Sequence, residues 1–117
     1  MALIKEIELE NGIVLTYHRI ASLNKMTNMS NTIEINSYVN KTQRLKEKEY
    51  QQLQLKNIYH NEDITEEDKI NLEKGINVLV EADFIELPYD ATMEIVDAYE
   101  YLKTLDKYKN AQNDLEV

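Results

Sequence analysis

The chain has no cysteine and no tryptophan, and only one proline and two glycines, among its 117 residues. Without cysteine there is no disulfide, no thiolate metal site and no thiol nucleophile. Two glycines cannot build a GxGxxG or P-loop phosphate cradle. So little glycine and proline also leaves no material for a long flexible linker. The chain therefore reads as one domain over residues 1–117. Long apolar runs are missing too, since nothing approaches the roughly 18 residues that span a bilayer. In the opening "MALIKEIELE", Lys5, Glu6 and Glu8 interrupt what a signal peptide would keep apolar. The expectation is a soluble protein with no membrane partner and no cleaved export signal. Positive charge is also scarce: 13 Lys and Arg face 22 Asp and Glu, a net −9. Phosphate contacts need clustered basic residues, so nucleic acid is not an expected partner. One basic cluster, "KTQRLKEKEY" (41–50), carries two glutamates and reads as a solvated charged face.

With 43% hydrophobic and 30% charged residues the composition is that of a globular domain rather than a disordered one. The start reads as a hairpin. "LIKEIEL" and "IVLTYHRI" flank Glu10-Asn11-Gly12, and Asn-Gly between alternating apolar runs signals a tight turn. With Asn11 and Gly12 as a two-residue turn, Glu10 pairs with Ile13, Ile7 with Thr16, Lys5 with His18 and Leu3 with Ile20. The second strand runs on through "ASLNKM", "TNMSN" (27–31) turns, and "TIEINSYV" (32–39) returns. Ile33, Ile35 and Val39 share one side of it, Glu34, Asn36 and Tyr38 the other.

The middle, about 41–75, reads as a charged helical excursion and an insertion between strands. "TQRLKEKEYQQLQLKN" is rich in helix formers. Yet Leu45, Tyr50, Leu53 and Leu55 make no helical stripe, which leaves a long strand open as the alternative. "DITEEDKINLEKG" (63–75) is a short helix with Thr65 as cap, Asp68 closing a short-armed capping box and Gly75 as stop. "INVLVEADFIEL" (76–87) has strand alternation, with a bulge or change of face near Ile85 and an end at Pro88. "DATMEIVDAYEYLKTLDKY" (90–108) predicts a helix capped by Asp90 or Thr92. Its buried face is Ala91, Ile95, Ala98, Tyr99, Leu102 and Leu105. The polar tail 109–117 is expected to fray. The fold class is α+β: a small antiparallel sheet packed by a C-terminal helix.

"TYHRI" invites an active-site reading, but adjacent strand residues face opposite ways, so His18 and Arg19 cannot serve one site. His18 is expected partly buried and hydrogen-bonded, and Arg19 is expected beside Glu6 and Glu8. His60 stands near Glu62 and Asp63, without a second histidine or any HExxH or EF-hand spacing. The expected reading is a solvated acidic helix start and no metal. No GxSxG surrounds a serine, so no catalytic residue and no cofactor is assigned. Eight tyrosines against one phenylalanine point instead to contact surfaces, because tyrosine joins apolar area to a polar tip. Tyr17, Tyr38, Tyr89, Tyr101 and Tyr108 are the candidate interface residues.

"MALIKEIELENGIVLTYHRI", "TIEINSYV" and "FIELPYDATMEIVDAYEYLKTL" together resemble a family of small uncharacterised proteins from phages and prophages of low-GC Gram-positive bacteria. Members are encoded with tail and baseplate genes. The resemblance covers both ends of the chain, and the middle looks longer than in usual members. It implies a non-enzymatic tail or baseplate role, in the host cytoplasm during assembly and in the virion, with other tail proteins or further copies as partners. The alternative is a cytoplasmic accessory factor, either an assembly chaperone or an acidic inhibitor of a host protein.

Overall fold

The computed structural model describes residues 1–115. Its elements are β1 (Ala2–Glu8), β2 (Val14–Met26), β3 (Ser30–Tyr38), α1 (Lys41–Tyr59), α2 (Glu66–Lys74), β4 (Glu81–Pro88), α3 (Ile95–Leu102) and β5 (Gln112–Asp114). The strands form one antiparallel sheet in the order β4-β3-β2-β1-β5. This is a small α+β fold, as the alternation and the apolar C-terminal face predict.

The first hairpin differs in its turn. Gly12 N–H bonds to Leu9 O at 2.9 Å and Leu9 N–H to Ile13 O at 2.8 Å. Three residues, 10–12, therefore make the loop, and only Gly12 takes positive φ, at +86°. That is a type I turn closed by a left-handed glycine, the three-residue alternative to the expected two-residue turn. A bulge between Ile4 and Ile7 shifts the ladder again, so Leu3 pairs with His18 and Ile7 with Leu15. The pairs Lys5–His18 and Leu3–Ile20 are thereby corrected. β2 and β3 do run as one long hairpin, with left-handed Asn28 (φ +62°) in its turn.

One sheet face buries the main core. Leu3, Ile20, Ile33, Ile35 and Leu87 lie under Met93, Ala98, Tyr99, Leu102 and Tyr108. α3 is shorter than expected. Asp90 folds back on Thr92, whose N–H and hydroxyl both donate to its carboxylate at 2.9 and 2.7 Å. The helix starts only after Glu94, whose N–H donates to Asp97 Oδ2 at 2.9 Å. Tyr99 ties the helix to the sheet: its hydroxyl accepts from Ile20 N–H (2.9 Å) and donates to Met1 O (2.6 Å). It thus bridges the end of the β1–β2 ladder. Asn31, fully buried, clamps β3 to the loop before α3 through both Asp90 backbone groups.

The other face is also covered, at one end, by the first half of α1. Ala2, Tyr17 and Tyr38 are buried there. Tyr38 was expected on a wet side and Val39 inside. The reverse holds: Tyr38 is inaccessible and Val39 is 41% exposed, because the strand ends at Tyr38. β4 begins at Glu81, not 76, and pairs with β3 without a bulge. Glu81, Asp83, Ile85 and Leu87 face inward while Phe84 faces out. The expected fraying tail instead supplies β5, which pairs with β1 from Ala2 to Ile4. Residues 116–117 of that tail lie outside the described residues.

Candidate interaction surface

The most site-like group in the sequence is internal. His18 is 1% exposed. Its Nε2 lies 2.8 Å from Lys5 O and its Nδ1 2.7 Å from Ser37 Oγ. A carbonyl only accepts, so Nε2 carries the proton and Nδ1 accepts from the Ser37 hydroxyl. The Tyr108 ring packs edge-on at 5.6 Å. Burial pushes the imidazole below its ordinary value, against the pull of the Lys5 carbonyl. Ser37 is 2% exposed, so this serine–histidine pair meets no substrate. It satisfies two buried polar groups and joins β2 to β3 and β1. Above it Lys107 bridges Glu81 and Asp83, and burial pushes the Tyr108 phenol up to about 12.

Arg19 points to the opposite face, as the alternation requires. Its neighbour is Glu47 of α1 at 3.9 Å, not Glu6 or Glu8. Glu47 also accepts from Tyr38 Oη and, at 2.8 Å, from Arg44 Nη1. Arg44 reaches Gln51 as well, at 2.9 Å, and is 5% exposed. On the same face Tyr17 Oη donates to Asp114 Oδ2 at 2.9 Å, with Lys41 Nζ 2.8 Å from that oxygen. α1 is thus docked by a polar network rather than by an apolar stripe.

This network takes Tyr17 and Tyr38 from the surface, and the main core on the opposite face takes Tyr108. Tyr17, Tyr38 and Tyr108 are 1%, 0% and 0% exposed and serve as core. Tyr89 and Tyr101 are half-buried. Other large apolar residues are more than half exposed: Leu55, Ile58 and Tyr59 on α1, Ile70 on α2 and Phe84 on the edge strand β4, and, apart from the arm, Met26, Met29, Val96 and Leu115. The failure of α1's apolar residues to form a stripe along the helix's whole length was the available signal, because such a helix leaves part of its apolar surface unburied by its own fold.

α1 and α2 form an antiparallel arm. Tyr50 Oη donates to Leu72 O at 3.1 Å, and Lys56 pairs with Asp68 at 3.2 Å. Thr65 Oγ1 accepts from Asp68 N–H and Asp68 Oδ2 from Thr65 N–H, both at 3.1 Å, the expected capping box. An open cavity of about 340 Å³ lies between the helices, lined in part by Tyr50, Leu53, Asn71 and Ile76. At the arm's tip His60, Glu62 and Asp63 place one ligand atom each within 4.8 Å of the others. All three are exposed and stand in an acidic turn. Among the described residues no helix is long and apolar enough to cross a membrane. No family model, curated protein or solved structure matches the chain.

Proposed function

We propose that this chain is a non-enzymatic protein that works through protein–protein contacts, as a phage or prophage tail or baseplate component. The observation that carries the contact reading is the arm: it projects Leu55, Ile58 and Tyr59 into solvent at 54, 67 and 72% exposure. Large apolar groups gathered on one exposed surface mark interaction sites. The only histidine in the fold's core has both ring nitrogens occupied and no access to solvent, which removes the best candidate for acid–base work. The phage setting rests on the resemblance of both chain ends. Assembly would take place in the host cytoplasm, with other tail proteins as partners.

Mass spectrometry of purified particles, paired with pull-downs against neighbouring phage gene products, tests the reading. A chain found in the particle supports it. A chain abundant in infected lysate and missing from particles supports the accessory-factor reading instead. Charge favours that second reading: residues 76–117 hold ten acidic and three basic residues, −7 of the net −9. Such a surface steers toward a basic partner.

A further inference from the structure

We propose that the far half of α1 pairs with the same segment of a second copy, two-fold and antiparallel, giving a homodimer held by Leu55, Ile58 and Tyr59. This rests on the protein-contact reading above and names the partner. Helical spacing sets Arg44, Gln51, Leu55 and Ile58 along one stripe of α1. In its near half the stripe is polar and covered, with Arg44 bonded to Glu47 and Gln51 beside the sheet. Among the described residues Glu47 is the last of α1 to bond a sheet side chain. Past it the stripe turns apolar, and there it is exposed. A helix serving only its own fold runs the other way, apolar under the sheet and polar in water.

Charge selects the occupant and its direction. Residues 41–59 carry five basic and two acidic residues, a net +3. Residues 60–75 carry six acidic and two basic residues, a net −4. Lys41, Arg44 and Lys56 are paired within the chain, to Asp114, Glu47 and Asp68, so α1 offers a partner Lys46 and Lys48, while the arm is acidic from its tip through α2. Antiparallel pairing centred near Leu55 lays the acidic tip of each copy alongside Lys46 and Lys48 of the other. Parallel pairing would set tip against tip. A two-fold interface needs a self-complementary patch, and this arm supplies both halves of one. A stable dimer buries about 800 Å² per partner, more than three side chains provide, so the charged halves must take part.

Sedimentation velocity over a wide concentration range tests the proposal. The wild-type chain is expected to dimerise, and Ile58→Glu to weaken association by roughly tenfold or more, as loss of a central apolar anchor does. Circular dichroism should be unchanged. A chain that stays monomeric at every concentration overturns the dimer, as does a dimer that Ile58→Glu leaves intact. Should that variant lose its helix signal, Leu55→Cys decides, because a two-fold that sets residues 62–64 of one copy beside Lys46 and Lys48 of the other brings the two Leu55 positions together. The chain has no other cysteine, so oxidation links two copies only where these positions meet. Crosslinking no faster than for Glu10→Cys, in the first hairpin turn, overturns the proposal. A monomer found in particles overturns the dimer and leaves the tail reading standing. A dimer missing from particles supports the dimer and counts against the tail reading.

Discussion

His18 shows how a residue that reads as chemistry serves the fold. Its ring is neutral because burial disfavours the charged form, and two partners fix its tautomer. The folded-state value lies below the ordinary value near 6.5. As pH falls, the unfolded chain therefore takes up the proton first. Stability from this group is complete above about pH 6.5 and is lost as pH drops from there toward the folded value. Thermal melts from about pH 7.5 to 5 should show a falling Tm, and His18→Gln should flatten that slope. Asp68 and Asp90 act in a separate window. Hydrogen bonds hold both carboxyls below 3.8, so what they contribute is lost only as pH falls below that value. Tyr99 gives a sharper residue-level test. Tyr99→Phe strands the Ile20 N–H without disturbing the ring. Leaving a buried backbone N–H unpaired costs about 1–3 kcal/mol, readable as a lower urea midpoint with an unchanged slope.

At the scale of elements, the turns carry testable weight. Gly12 sits at φ +86° with nothing within 4 Å of an added Cβ, so Gly12→Ala meets only a conformational penalty. A loss of about 1–2 kcal/mol in chemical denaturation is expected, while a neutral result would mean that position 12 leaves the left-handed region. Elements that announce themselves locally were legible in the sequence. Asn11-Gly12 marks a hairpin, Thr65 to Asp68 marks a capped helix, and the Ile33–Ile35 alternation marks a buried strand face. Elements set by tertiary context were not. β5 is the polar Gln112–Asp114, held by ladder bonds to β1 and an Asp114 that answers Tyr17, and no pattern within it shows that. α3 starts late because Asp90 prefers its own Thr92, a choice between two valid caps. The hairpin register slipped because the loop takes three residues and β1 carries a bulge between Ile4 and Ile7, neither of which alternation reveals. The candidate surface was hidden for the same reason. Tyr17 and Tyr38 look amphipathic in alternation, and only the docking of α1 buries them.

The whole molecule is a rigid sheet with a lightly held arm. Its radius of gyration is 16.3 Å, against the roughly 13 Å expected for a compact chain of this length. The excess is the arm, whose helices share a few polar contacts and leave Leu55, Ile58, Tyr59 and Ile70 more than half exposed. Local stability follows buried apolar contact, so opening free energies should differ across the fold. Native-state hydrogen exchange is expected to be slowest in β2 and β3, which pair on both sides and carry Ile20, Ile33 and Ile35. Amides of about 52–75 should exchange through cheaper, local openings in dilute solution. Their protection should then rise with protein concentration, because association stabilises only the segment it covers. The sheet amides serve as the internal reference, since their exchange reports global unfolding. Protection of the arm that matches β3 even at high dilution would mean that its own contacts suffice. Protection that stays low at every concentration would mean that the exposed apolar stripe meets no second copy.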